Sequence, residues 1–193
     1  MIELLKKKDR KTVEEVYKLY SPVLLAICMR YFKDRDLALD AMHEGFMKAL
    51  NSIASFNQQG SFEGWLKRIV VNHAIDLLRK ESKNHHEFNE DNHLIEENID
   101  CHSIDKKDID QKTIDLNLVI NAEFSSSEIL EEIHKLPQMY CVVFVLFVLD
   151  NFSHAEIAEK LNIDENTSRK RLSRARKMLK ELLFERSISV LGK

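Results

Sequence analysis

Glycine and proline are nearly absent from this chain, four and two residues in 193. So sparse a supply of turn formers argues against barrels, sandwiches and collagenous repeats, and favours helices joined by polar loops. Cysteine is scarce too. Cys28, Cys101 and Cys141 are odd in number and far apart, with no Cys-x-x-Cys pair, so no disulfide framework forms and a reducing compartment is expected. Long apolar runs are missing: the longest, Met139 to Leu149, has 11 residues, where a membrane span needs about 20. No apolar run follows the basic N-terminus MIELLKKKDRK, so no signal peptide is expected. There is also no nucleophile–base pair, Gly-rich phosphate loop or pair of catalytic carboxylates, so neither enzymatic activity nor a cofactor is expected. What remains is 44% hydrophobic and 32% charged, enough for packed cores. The expectation is a cytoplasmic all-α protein.

The net charge of -3 hides three unlike segments. Residues 1–83 carry 15 Lys/Arg against 11 Asp/Glu, residues 84–127 carry 3 against 11, and residues 128–193 carry 11 against 10. The middle stretch is polar, acidic and poor in aromatics, with no sustained helical stripe, and reads as a flexible linker over 84–123. About 40 flexible residues span roughly 35 Å, near one turn of B-DNA. Two small helical domains, 1–83 and 124–193, therefore sit on an acidic tether.

In the first domain, Val13, Val16, Tyr17, Tyr20, Leu24 and Ile27 recur at helical spacing. Pro22 predicts a kink or helix boundary near Ser21–Pro22. A second helix over 36–50 turns Leu37, Ala41, Phe46 and Leu50 inward and leaves Asp40, His43, Glu44 and Lys48 more exposed. After a loop at 51–60, a third helix over 61–80 buries Phe62, Trp65, Ile69, Ile75 and Leu78. Its polar side shows Lys67, Arg68, Asn72, His73, Asp76, Arg79 and Lys80.

In the second domain, SSSEILEEIHKL offers serine caps before an apolar stripe. The run MYCVVFVLFVL has strand-like composition, but no partner strand exists, so it reads as a buried helix. Ser153 and Glu156 form a capping box that opens a short helix burying Ile157, Ala158 and Leu161. A tight turn at Asn162–Ile163 follows, with Asp164 capping a long basic helix. Between Asn166 and Lys180 lie seven basic residues and no acid. This layout is a helix-turn-helix. Ser168, Leu172, Ala175 and Leu179 face the protein, while Asn166, Arg169, Lys170, Ser173, Arg174 and Lys177 face outward for base edges and phosphates in the major groove.

These residues carry a resemblance. DLALDAMHEGFMKAL and SFNQQGSFEGWLKRIVVNHAIDLLRK resemble region 2 of the extracytoplasmic-function (ECF) sigma factors of bacterial RNA polymerase. Asp40, Glu44 and Phe46, then Gly60, Ser61, Phe62, Trp65, Leu66, Ile69, Asn72, Ile75, Asp76 and Arg79, match its pattern. His43 stands where glutamine is usual, and Gly45 where an apolar residue is. The segment from Leu136 to Leu183 is similar to region 4 of the same family through Leu136-Pro137, Ser153, Glu156 to Glu159, Thr167, Arg171, Leu172 and Arg174-Ala175-Arg176.

The resemblance implies a promoter-directing factor whose partners are core RNA polymerase (clamp helices of the largest subunit, and the flap), promoter DNA and, in some members, an anti-sigma factor, with no membrane insertion. It implies core docking through Asp40, His43, Glu44 and Lys48. Ser55, Phe56 and Asn57 would form a pocket for a −10 base, and Lys67, Arg68, Asn72, Arg79 and Lys80 would track the melted strand. Trp65 is expected to be structural. Thr167 and Arg176 join the outward residues of the last helix in contacting the −35 element. His85, His86, His93, Cys101 and His102 cluster in the linker but match no structural zinc spacing, so no metal is expected. Two rivals stand beside this reading: a helix-turn-helix regulator with a sensing or dimerising N-terminal module, and a nucleic-acid enzyme with a helix-turn-helix appendage.

Overall fold

A computed structural model describes residues 1–85 and 124–191, within two compact units, Met1–Asn84 and His85–Lys193. Among the described residues every regular element is a helix or helical turn. Of the expected linker, residues 84 and 85 instead continue α4, and His86, His93, Cys101 and His102 lie outside the described residues.

The first unit contains α1 (Ile2–Lys6), α2 (Arg10–Cys28), α3 (Arg35–Asn51), a 3-10 turn (Ile53–Ser55) and α4 (Phe62–His85). Side chains close the helix starts, as the first orphan amides require. The Asp9 carboxylate accepts from Thr12 N–H at 2.9 Å, Asp34 from Asp36 N–H at 2.7 Å, and the Ser61 hydroxyl from Gly64 N–H at 3.0 Å.

Helix α2 runs unbroken through Pro22, so no helix boundary lies there. A mid-helix proline costs about 3 kcal/mol. Val16 on one side of it, and Leu24, Ile27 and Cys28 on the other, are all buried. At about 1.5–3 kcal/mol for each buried aliphatic side chain, packing outweighs that cost.

The phase of α3 is as expected at Ala41 and Phe46, which are buried, but not at Leu37. The buried face of the helix is Ala38, Ala41, Met42, Gly45, Phe46 and Ala49, whereas Leu37 is 47% exposed. Gly45 explains how α3 meets α4. A Cβ there would stand 3.1 Å from the Cα of Val70, so the helices touch backbone to backbone. Helix α4 buries Leu66, Val70, Val71, Ala74, Ile75 and Leu78. Phe62 and Trp65 are half-buried and form an aromatic cluster with Tyr20 and Phe56.

The second unit contains α5 (Ser126–Ile133), α6 (Gln138–Phe144) extended by a π turn (Val145–Leu149), α7 (His154–Leu161) and α8 (Glu165–Leu191). The strand-like run is helical, and Tyr140 to Val148 are all buried. Capping boxes open α5 at Ser125/Glu128 and α7 at Ser153/Glu156. Arg186, near the end of α8, reaches three carboxylates of α5: Glu132 at 2.7 Å, and Glu128 and Glu131 at 3.1 Å. Glu132 is fully buried. Burial pushes its pKa upward, but hydrogen bonds from Lys135 and Arg186 outweigh that and hold it below the usual range.

Candidate nucleic-acid interface

The outer face of α3 carries Asp40, His43, Glu44 and Lys48, all exposed at the residue level. Two apolar residues share this side, Leu37 and Met47, the latter 55% exposed. An acidic face flanked by uncovered apolar side chains suits a basic, partly apolar partner helix. The sequence reading missed these two, because it placed Leu37 inward and left Met47 unassigned. His43 stacks on Tyr17 of α2, ring centroids 5.8 Å apart, with its Nε2 at 2.5 Å from the Tyr17 hydroxyl.

His73 of α4, expected on the polar side, is buried at 3% exposure. Its Nδ1 lies 2.7 Å from Lys48 Nζ and its Nε2 2.9 Å from Glu44 Oε2. An ammonium can only donate, so Nδ1 accepts from Lys48 and Nε2 donates to Glu44. Burial, reinforced by the Lys48 charge, holds the His73 pKa below its ordinary value of 6.5 despite the opposing Glu44 and Asp76 carboxylates. The ring is therefore neutral at pH 7.

The loop before α4 separates its three candidate residues. Ser55 and Asn57 are exposed. Phe56 is only 7% exposed, its ring 5.3 Å from Trp65 and 5.7 Å from Phe62. It is turned inward, as an anchor for the loop. Half-buried Trp65 shares that cluster. Asn57 folds the loop tip, its Oδ1 accepting from Gln59 N–H at 3.1 Å. Along α4, Arg68, Asn72 and Arg79, at steps of four and seven, share one side of the helix; they and Lys80 are exposed or half-buried. Lys67 pairs with Glu63 one turn before it.

In the second unit, Asn162 takes the left-handed conformation, φ 55° and ψ 49°, that ends α7. Asp164 then caps α8, accepting from the Thr167 N–H at 2.7 Å and hydroxyl at 2.8 Å. These bonds hold the Asp164 pKa below the usual carboxylate range. Ser168, Leu172, Ala175 and Leu179 are buried, as expected of the inner face. Arg171 is buried as well. Asn166, Lys170 and Lys177 are exposed, and Ser173 half-exposed. Arg169 is half-buried and paired with Glu165 at 3.2 Å. Two arginines bend back onto α6 and its π turn: Arg174 donates to the Tyr140 hydroxyl at 3.4 Å, and the Arg176 guanidinium lies 5.8 Å from the Phe147 ring centre. Asn166, Lys170 and Lys177 are thus open along the first turns of α8, and Lys180, Glu181 and Glu185 further on.

Comparison with known proteins agrees with this layout. Residues 16–84 match the family model of Sigma-70 region 2, and residues 126–179 that of Sigma-70, region 4. The chain is 30% identical over 182 residues to the ECF RNA polymerase sigma factor SigW of Bacillus subtilis, covering 94% of each. It is 28% identical over 181 residues to the ECF RNA polymerase sigma-E factor of Haemophilus influenzae, covering 93% of this chain and 91% of that one. Its fold is similar to the sigma factor RpoE of Bartonella quintana, solved in complex with the anti-sigma factor NepR, at a TM-score of 0.52 and 21% identity over 90% of this chain and 97% of that one. Both helical units match those of factors that bind core RNA polymerase and promoter DNA without catalysing a reaction themselves, and the chain belongs to the ECF RNA polymerase sigma factors.

Proposed function

We propose how this sigma factor divides its work among its surfaces. The outer face of α3, with Asp40 and Glu44 between Leu37 and Met47, docks on the clamp helices of the largest polymerase subunit. Ser55 and Asn57 receive an unstacked base of the −10 element, while Phe56 holds their loop in place. Lys67, Arg68, Asn72, Arg79 and Lys80 follow the backbone of the melted strand. The second unit sits on the polymerase flap and sets the first turns of α8 into the −35 major groove. Asn166, Arg169, Lys170 and Ser173 meet base edges there, while Thr167, Arg174, Arg176 and Lys177 contact or support contact with phosphates. Residues 1–83 and 124–193 are the two working domains and 84–123 joins them. The site of action is the cytoplasm, where the polymerase and its DNA reside, and an anti-sigma factor of the kind bound to the Bartonella relative is a further partner.

The observation that carries this reading is the exposure of polar side chains on two helices of the first unit. The acids of α3 are exposed beside uncovered apolar side chains, and Arg68, Asn72 and Arg79 share one side of α4, with the exposed Asp76 beside them. Permanganate footprinting of holoenzyme on a promoter tests it. Wild-type chain is expected to expose −10 thymines, and Asn57→Ala to slow their exposure, while Asp40→Lys with Glu44→Lys abolishes it by preventing docking.

A further inference from the structure

We infer that His73 is a positioning residue for polymerase docking: from the strand-binding helix α4 it holds Glu44 in place on α3 and makes core binding respond to its own protonation. The inference rests on the reading that Glu44 docks.

Glu44 and Lys48 stand one turn apart on α3, the order and spacing that ordinarily gives a direct surface ion pair. Here the imidazole of His73 is inserted between them, 2.7 Å from the ammonium and 2.9 Å from the carboxylate. The insertion is possible because α3 and α4 touch at Gly45 and Val70, each next to or one turn from the residues concerned. The ring is buried, whereas the Glu44 side chain stays 62% exposed. One carboxylate oxygen is tied to α4, and much of the group remains open to a partner.

Protonation would undo the arrangement. Nδ1 would gain a hydrogen facing the Lys48 ammonium, placing two cations in hydrogen-bond contact. Lys48 would have to leave, and Glu44 would become the counter-ion of a buried imidazolium. Its negative charge would then be largely cancelled before any basic partner met it. The charged groups around the ring are Glu44 and Lys48 from α3 and Asp76 from α4 itself. Docking is therefore set for neutral pH and weakens on acidification.

The test measures the affinity of labelled full-length chain for core polymerase between pH 5.5 and 8, for wild type, His73→Gln, His73→Leu and Glu44→Lys. Glutamine can donate to Glu44 and accept from Lys48 but does not titrate; leucine fills the space and makes neither bond. Expected at pH 7.5 is His73→Gln near wild type, with His73→Leu about tenfold weaker. On acidification wild type should weaken more than His73→Gln. If Glu44→Lys loses binding while His73→Leu keeps wild-type affinity, or His73→Gln keeps the wild-type pH profile, the inference fails and the docking reading stands. If Glu44→Lys binds normally, the docking reading fails and takes the inference with it. The two glutamine-based comparisons decide the matter even if His73→Leu folds poorly.

Discussion

Ser168 and His154 are joined inside the helix-turn-helix by a 2.9 Å hydrogen bond between Oγ and Nδ1, with both residues buried. The His154 ring also stacks on Phe147, centroids 4.5 Å apart. One imidazole thus fixes α7 against both α8 and the π turn. The bond satisfies a hydroxyl that would otherwise be buried without a partner on the inner face of α8. Ser168→Ala should destabilise the second unit by about 1–3 kcal/mol, because a buried nitrogen loses a partner. Chemical denaturation followed by circular dichroism checks this; a loss below about 0.5 kcal/mol would show that the bond adds nothing.

The loop residues should separate by mechanism. Phe56→Ala removes a buried ring from the aromatic cluster and should cost about 3–5 kcal/mol of stability in the first unit. Asn57→Ala removes one hydrogen bond at an exposed loop tip and should leave stability within about 1 kcal/mol while slowing promoter opening. Trp65, the single tryptophan, gives a fluorescence signal for the first measurement. Equal stability of the two variants would contradict the placement of Phe56 as an anchor.

The architecture was legible in the sequence for physical reasons. Helix starts at Ser125, Ser153 and Asp164 were announced by side chains that cap amides, and Asn162 by its tolerance of a left-handed turn. The inner face of α8 followed from period alone. Less visible was the exposure of Leu37, because half of the buried side of α3 is alanine, whose weak hydrophobic signal leaves the edge of the buried face undefined. Phe56, in a loop, has no period to betray its burial. His73 looked like surface because polarity is a property of the residue alone, whereas its burial depends on Glu44 and Lys48 arriving from another helix. Arg174 and Arg176 belonged to a basic run whose common charge hid that two members pack against α6 and its π turn.

On α8, Arg176→Ala and Lys177→Ala should diverge. Arg176 lies over the Phe147 ring, so its loss should lower the stability of the second unit, by about 0.5–2 kcal/mol. Lys177 is exposed; its loss should leave stability unchanged, weaken holoenzyme binding to all −35 sequences alike and reduce the salt slope by about one unit. Arg169→Ala should instead cost about 1–3 kcal/mol on the preferred −35 element and little on altered ones. A uniform loss for Arg169→Ala across a promoter panel would make it a phosphate contact.

Acid should loosen the two units at different pH. His73 has a folded pKa below its ordinary 6.5, so the unfolded chain binds the proton more readily. Its contribution is complete above pH 6.5 and is lost as pH falls below that value. In the second unit Glu132 is held below its ordinary 4.5 by Lys135 and Arg186, against the upward push of burial. That contribution is complete above pH 4.5 and is lost only as pH falls through its lowered value. Trp65 fluorescence should therefore show denaturant resistance falling from about pH 6.5, and circular dichroism of the second unit's transition only below about pH 4.5. Loss of both together near pH 4 would contradict the assignment of His73.

The most direct measurement is promoter-dependent transcription by core polymerase from the organism of origin, reconstituted with this chain. Wild-type chain should direct a defined run-off transcript that core enzyme alone does not make. The Asp40→Lys, Glu44→Lys variant should make none and fail to copurify with core, while keeping wild-type helical content; the expected loss of affinity is at least about thirtyfold. A wild-type chain that binds duplex DNA tightly by itself yet neither copurifies with core nor directs a transcript would contradict the account, and would point instead to a free-standing helix-turn-helix regulator.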